Sequence, residues 1–225
     1  MHVLLVLDHP YGAHAGADIP HRRSLVVAML DAAREGLDRA GHTHETIDLA
    51  ELNLDPVMRA DDLVSWRLGA QPRPEVAALQ SRLAAADHLV LAFPIWWMSM
   101  PSRTKGFLDL VLTPGFAYDE PTPGGRLHRR LHRLQGVSAL VAMTTPGVLY
   151  SAWFGAPARR ILSRGTFHLI GIPRVKWIAI DRSTQRSAES RHRALDSVRR
   201  RFERLRPTVP HSAALLPVPL PVSSS

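Results

Sequence analysis

The chain has 225 residues, 45% hydrophobic and 21% charged, which is enough for one domain with a buried core. It has no cysteine, so disulfides, thiolate metal sites and thiol catalysis are excluded, and no run approaches the roughly 18 uninterrupted apolar residues of a membrane span. Twenty-eight Lys+Arg against 20 Asp+Glu give a net charge of +8.

Val3–Leu7 is continuously apolar and predicts a strand buried on both faces. The N-terminal Met1–Asp8 lacks the basic region of a secretory leader, so a cytoplasmic protein is expected. A long loop follows and ends at Arg22-Arg23-Ser24, ahead of a helix marked by Val26, Leu30, Ala33 and Leu37. Gly41 stands at the position of a helix stop. Thr43–Asp48 predicts a second strand, Pro74–Ala86 a helix and Asp87–Phe93 a third strand. Pro101 suits a first helical turn, with Phe107, Leu108, Val111 and Leu112 as the buried stripe behind it.

Thr113–Gly125 carries three prolines and three glycines and predicts irregular chain. Val137–Met143 predicts a fourth strand, Ala156–Ser163 a helix, Val175–Ile180 a fifth strand, and Arg186–Leu205 a charged closing helix. Residues 1–205 are expected to form the domain, and 206–225, with five prolines and three final serines, a mobile tail. Strands alternating with helices predict a parallel α/β sheet, whose ligands sit at the strands' carboxyl ends. The loops after Leu7, Phe93 and Met143 are therefore the places to look.

The first loop offers His9, Arg22, Arg23 and the helix cap Ser24 to an anion. Taken alone it is read equally well as a capped helix with a solvent-facing arginine pair. The second, Phe93–Pro101, sets Trp96 and Trp97 side by side, good walls for a flat ring, with packing under a lid as the competing reading for Trp96. The third, Thr144-Thr145-Pro146-Gly147-Val148-Leu149-Tyr150, gives two hydroxyls, a turn and a tyrosine. His9, His14 and His21 lack carboxylates at ligand spacing, so no metal site is expected. Of the 28 cations 26 are arginines, many of them in Arg126–Arg133 and Arg191–Arg206. Without interleaved aromatics these blocks read as solvated faces and not as a nucleic-acid surface.

Phe93-Pro94-Ile95-Trp96-Trp97-Met98-Ser99-Met100-Pro101, Lys105-Gly106-Phe107-Leu108-Asp109 and Thr113-Pro114-Gly115-Phe116-Ala117-Tyr118 together resemble a signature segment of the flavodoxin-like NAD(P)H:quinone oxidoreductases. That family includes bacterial quinone reductases and the ancillary flavoproteins of potassium efflux systems. Asp48-Leu49, Leu54-Asp55-Pro56-Val57, His9-Pro10, Ser24, Gly124-Gly125 and Thr144-Thr145 extend the resemblance across residues 2–182.

The resemblance implies a three-layer sandwich around a five-stranded parallel sheet of order 2-1-3-4-5. It further implies a tightly bound flavin, FMN or FAD, with NAD(P)H as electron donor and a quinone or similar electrophile as acceptor in a ping-pong, two-electron reaction. His9 and Ser24 would contact the cofactor phosphate. Pro94, Ile95, Trp96 and Trp97 would line the isoalloxazine, and Thr144, Thr145, Gly147 and Tyr150 its pyrimidine edge. Trp97, Tyr118 and Tyr150 would act at the reacting face, with Phe116 and Tyr118 reaching the substrate of the neighbouring subunit in a homodimer. The alternative is a flavoprotein whose main task is to bind and regulate a partner such as a transporter. Pro146 stands where the family has a glycine and has no N–H, so this loop could offer the flavin at most the Gly147 amide and the Tyr150 hydroxyl. Arg159-Arg160 is a candidate to compensate.

Overall fold

The computed structural model describes residues 1–15, 23–52, 54–69, 72–173 and 175–207. His21, Arg22 and the expected tail from residue 208 onwards lie outside that description. Five strands form the sheet: β1 (His2–Leu7), β2 (Thr43–Asp48), β3 (His88–Pro94), β4 (Gly136–Ala142) and β5 (Val175–Ile180). They are parallel throughout, in the order β2-β1-β3-β4-β5.

The period of two in the strands sorts the side chains into two cores. Leu4, Val6, Leu89, Leu91, Phe93, Val137 and Val141 face one layer, built from α3 (Pro74–Ala85), α4 (Ser102–Val111) and the segment before β5. Val3, Leu5, Leu7, Val90, Ala92, Leu140 and Ile180 face the other, built from α1 (Leu25–Arg39) and α7 (Ala188–Glu203). Both faces are covered, which is why the central strands read as unbroken apolar runs. Among the described residues no helix is long and apolar enough to cross a membrane.

Three elements depart from the sequence expectation. Helix α2 (Ala60–Leu68) buries none of its residues, so it left no apolar period; the Asp62 carboxylate, accepting from the Arg59 amide at 2.9 Å, starts it and left-handed Gly69 ends it. The loop read as a turn after β4 contains α5 (Gly147–Ala152), with Pro146 as its N-cap. The helix expected over 156–163 is a short α6 (Pro157–Arg160) that runs into a π-helix, Ile161–His168. Within the irregular stretch, Tyr118–Asp119 pairs antiparallel with His128–Arg129.

Most arginines of the two blocks are exposed, as expected of solvated faces, and several also bond within the fold. Arg129 donates to the carbonyls of Leu131 (2.8 Å) and Leu134, Arg133 pairs with Asp87 at 2.9 Å, and Arg199 bonds Asp196 at 2.7 Å.

Helices α1 and α7 touch closely enough to require a glycine. A Cβ at Gly36 would lie 2.3 Å from the Arg199 carbonyl oxygen and 3.0 Å from Phe202 Cβ. Alanine there gains about 1 kcal/mol of helix propensity but must prise apart two backbones, at a cost of about 1–3 kcal/mol or more. Gly36→Ala is therefore expected to lower the urea midpoint, with an unchanged m-value.

His88, buried at the amino edge of the sheet, has Nε2 at 2.9 Å from Ser138 Oγ. Burial, aided by the Lys176 charge, depresses its pKa from 6.5 to about 4. The unfolded chain takes up that proton near pH 6.5 and the folded protein only near 4. The contribution of His88 is thus full above the unfolded value and is lost as pH falls towards the folded one, by up to roughly 3 kcal/mol. Urea melts at pH 7 and 4.5 should show a smaller acid loss for His88→Leu/Ser138→Ala than for the wild type.

Candidate active site

The strand order reverses direction between β1 and β3, and the carboxyl ends of β1, β3 and β4 share the edge at which open sheets of this kind form their ligand crevice. Aspartates at strand ends hold its loops. Asp8, buried just after β1, accepts from the Thr104 amide and hydroxyl, each at 2.7 Å, which ties β1 to the first turn of α4. Asp48, the last residue of β2, accepts from the amides of Ala13 (2.6 Å) and Ala50 (2.9 Å). Gly12 beside it has φ +59°, and a Cβ there would come within 2.7 Å of Asp48 Oδ2, so this turn needs glycine. Asp181, just after β5, accepts from the Gly147 amide and from Arg186 Nη2, both at 2.7 Å; these donors hold its carboxyl below the usual range.

His9 and Ser24 stand at the β1 side. The Tyr11 amide donates to His9 Nδ1 at 3.3 Å, so the neutral ring carries its proton on Nε2. Partial burial pushes the His9 pKa down, against the pull of Asp8 and Asp48, and keeps that neutral donor form at pH 7. Ser24 caps α1 by accepting from the Val27 amide at 3.3 Å, leaving its O–H to donate elsewhere.

The β3 loop is the most strained part of the crevice. Ile95 extends the ladder by donating to the Ala142 carbonyl at 2.9 Å. Trp96 and Ser99 then exchange both backbone bonds, at 3.0 and 2.9 Å, closing a two-residue turn in which Trp97 (φ 47°) and Met98 (φ 62°) are both left-handed. Each costs about 1–3 kcal/mol where glycine would cost nothing. Trp97 is 100% exposed and Trp96 46%, so packing within this chain does not explain the turn. Among the described residues four non-glycines have positive φ: Trp97 and Met98 in the loop after β3, Ala156 between α5 and α6, and Arg182 just after β5.

On the β4 side Thr144 is exposed and Thr145 half-buried at the crevice rim. Two residues expected beside them are differently placed. Tyr150 is only 1% exposed; its ring stacks on Trp177 with centroids 6.2 Å apart and planes 4° from parallel. Its hydroxyl lies against the amides of Ala158 and Arg159 without completing a hydrogen bond, and burial raises its pKa. The Gly147 amide faces Asp181 and not the open crevice. The loop therefore presents neither the amide nor the hydroxyl that the sequence left available, because a carboxylate 34 residues downstream takes the one and α5 turns the other inward.

Phe116 and Tyr118 are half-buried against their own core and line other hollows. Tyr118 borders an apolar groove of about 580 Å³ with Trp66, Leu108, Leu127, Ile161 and Leu169. Burial, with Glu120 nearby, raises its hydroxyl pKa.

The donor set fits a flavin: a neutral imidazole N–H and a serine O–H at the amino end of α1, adjacent aromatic walls on a rigid turn, and threonines on the opposite rim. Sequence reasoning missed Asp8, Asp48 and Asp181. The available signal was an aspartate at the carboxyl end of each of three strands.

Residues 1–205 match the family described by its flavodoxin-like fold. The chain is 36% identical over 103 residues to an uncharacterized NAD(P)H oxidoreductase, YcaK, of Escherichia coli, covering 45% of this chain and 52% of that protein. It is 32% identical over 170 residues to the human ribosyldihydronicotinamide dehydrogenase [quinone], covering 64% and 70%. A solved NAD(P)H:quinone oxidoreductase from Methanothermobacter marburgensis shares the fold, with a TM-score of 0.77 at 24% identity over 92% of this chain and 99% of that one. The matched region spans about half the length of the E. coli relative. Strand order, crevice and sequence agree: the chain belongs to the flavodoxin-like family that contains the NAD(P)H:quinone oxidoreductases.

Proposed function

We propose that the protein is a flavin-dependent oxidoreductase that passes two electrons from NAD(P)H to a quinone or similar electrophile, the two substrates using one slot in turn. The observation that carries this reading is the left-handed Trp97-Met98 turn, which spends backbone strain to hold an indole in solvent at the switch-point crevice. A flavin bound there would supply the redox chemistry, while the protein orients it and shields it from water.

His9 Nε2–H and the Ser24 hydroxyl would hold its phosphate as uncharged donors, with the amino end of α1 adding a favourable dipole. Pro94, Ile95 and Trp96 would line the ring, Thr144 and Thr145 would meet its polar edge, and Gly147 would shape the turn behind them. Trp97 would form the outer wall of the substrate slot. Tyr150 would brace that wall from behind through Trp177, whose ring also meets Phe93 edge-on at 6.4 Å. In the homodimer that this reading includes, the apolar groove bordered by Tyr118 would face the second subunit, and Phe116 and Tyr118 would act at its site.

Purified protein should carry, or take up in equimolar amount, FMN or FAD, and should then oxidise NAD(P)H with a small quinone. Folded protein that binds neither flavin at large excess would overturn the reading. Trp97→Gly separates function from fold. It should leave stability equal or raise it by about 1 kcal/mol through relief of strain, while kcat/KM falls roughly tenfold with the lost ring contact. A parallel loss of flavin affinity would instead assign Trp97 to cofactor binding.

A further inference from the structure

Along α5, α6 and the start of the π-helix lies a pocket of about 590 Å³ bordered by Arg159, Arg160 and Arg164 together with Ser151, Ser163 and Gly155. No carboxylate lines it. Elsewhere arginines are commonly matched: Arg34, Arg59, Arg82, Arg130, Arg186 and Arg193 each pair with an Asp or Glu. Among the described residues none of the three pocket arginines has such a partner, and all three are exposed. Three arginines thus border one hollow with no carboxylate among its lining residues.

The local backbone builds this hollow. Gly155 (φ 70°) and Ala156 (φ 49°) are consecutive left-handed residues that turn the chain sharply into α6. A Cβ at position 155 would meet Arg160 Nη1 at 3.3 Å, so the glycine leaves room for that guanidinium. Ser163 Oγ donates to the Arg159 carbonyl at 2.6 Å, which fixes the backbone between the arginines. The pocket is also joined to the crevice by packing: Ala156 belongs to one small cluster with Met143 and Tyr150, against which Ile95 and Met98 pack.

We infer that this pocket binds a phosphate of the nicotinamide dinucleotide, anchoring NAD(P)H while its nicotinamide reaches the crevice. Guanidinium forks match phosphate oxygens in pairs, and several arginines around one anion give charge-assisted bonds that lysine does not reproduce. The inference rests on the oxidoreductase reading for its ligand. Two phosphates of the dinucleotide share this chemistry, the pyrophosphate common to both donors and the 2′-phosphate of NADPH.

The test compares wild type with Arg160→Gln/Arg164→Gln by calorimetric titration with NADP+ and with NAD+, which carry the same phosphates but cannot reduce a flavin, alongside KM and kcat for NADPH and NADH. The double variant should bind dinucleotide at least tenfold more weakly, with KM raised to match and kcat and flavin content retained. Arg160→Lys/Arg164→Lys should recover only part of the loss. A loss confined to NADP+ and NADPH assigns the pocket to the 2′-phosphate, and a loss for both dinucleotides assigns it to the pyrophosphate. Equal affinity in wild type and double variant, or no dinucleotide binding by wild type, overturns the inference. Flavin uptake is scored separately: protein without flavin sinks the oxidoreductase reading but leaves the calorimetric comparison of the pocket intact.

Discussion

A parallel sheet sends its strand-to-helix loops to one edge, where their backbone N–H groups fall outside the ladder, and this protein meets that constraint with carboxylates at strand ends. Asp8, Asp48 and Asp181 each stop or follow a strand and accept amides from a neighbouring loop. Hydrogen bonds to a charged acceptor are each worth about 1.5–3 kcal/mol, enough to set loop geometry. Asp8 draws the first turn of α4 towards β1, with its charge at the positive end of that helix. Asp48 shapes the turn around Gly12, and Asp181 fixes the start of α5. The crevice takes its form from these three anchors, and the left-handed Trp97-Met98 turn is held on the frame they provide.

Much of the fold was legible in the sequence because burial on both faces leaves an unmistakable mark. Val3–Leu7, the apolar run ending at Phe93 and Val137–Ala142 have no polar phase to confuse with a helix. Elements that bury little were illegible for the same reason. Helix α2 leaves Leu63, Val64 and Leu68 exposed and is set by its caps, so no period could reveal it. Pro146-Gly147 reads as a turn, and only tertiary placement shows that the proline starts a helix. In the candidate site the aromatic pair and the threonines could be read from position alone. The burial of Tyr150 and the reach of Asp181 back to Gly147 are long-range facts that spacing does not encode.

The basic composition has a similar resolution. A net charge of +8 invites a polyanion, yet Arg129 spends its donors on backbone carbonyls and Arg199 bridges α7 to Glu35 of α1 at 3.7 Å. Exposed pairs of this kind contribute little each. Satisfying carbonyls that no strand or helix bonds is worth more, since an unmatched buried acceptor costs about 1–3 kcal/mol. Charge in this chain is therefore read by where its counter-charge lies, and the pocket at Arg159, Arg160 and Arg164 is a place where arginines gather without one.

The π-helix carries two surfaces at once. Ile161, Gly165, Thr166 and Leu169 line the apolar groove, while Ser163 and Arg164 line the basic pocket. Positions 161, 165, 166 and 169 face the groove, with 163 and 164 turned to the pocket between them. Wound as an α-helix, the segment would rotate its later side chains relative to its earlier ones, and the two rows could not both keep their places. The groove and the basic pocket thus share one wall, and a substitution that rewound it would reshape both.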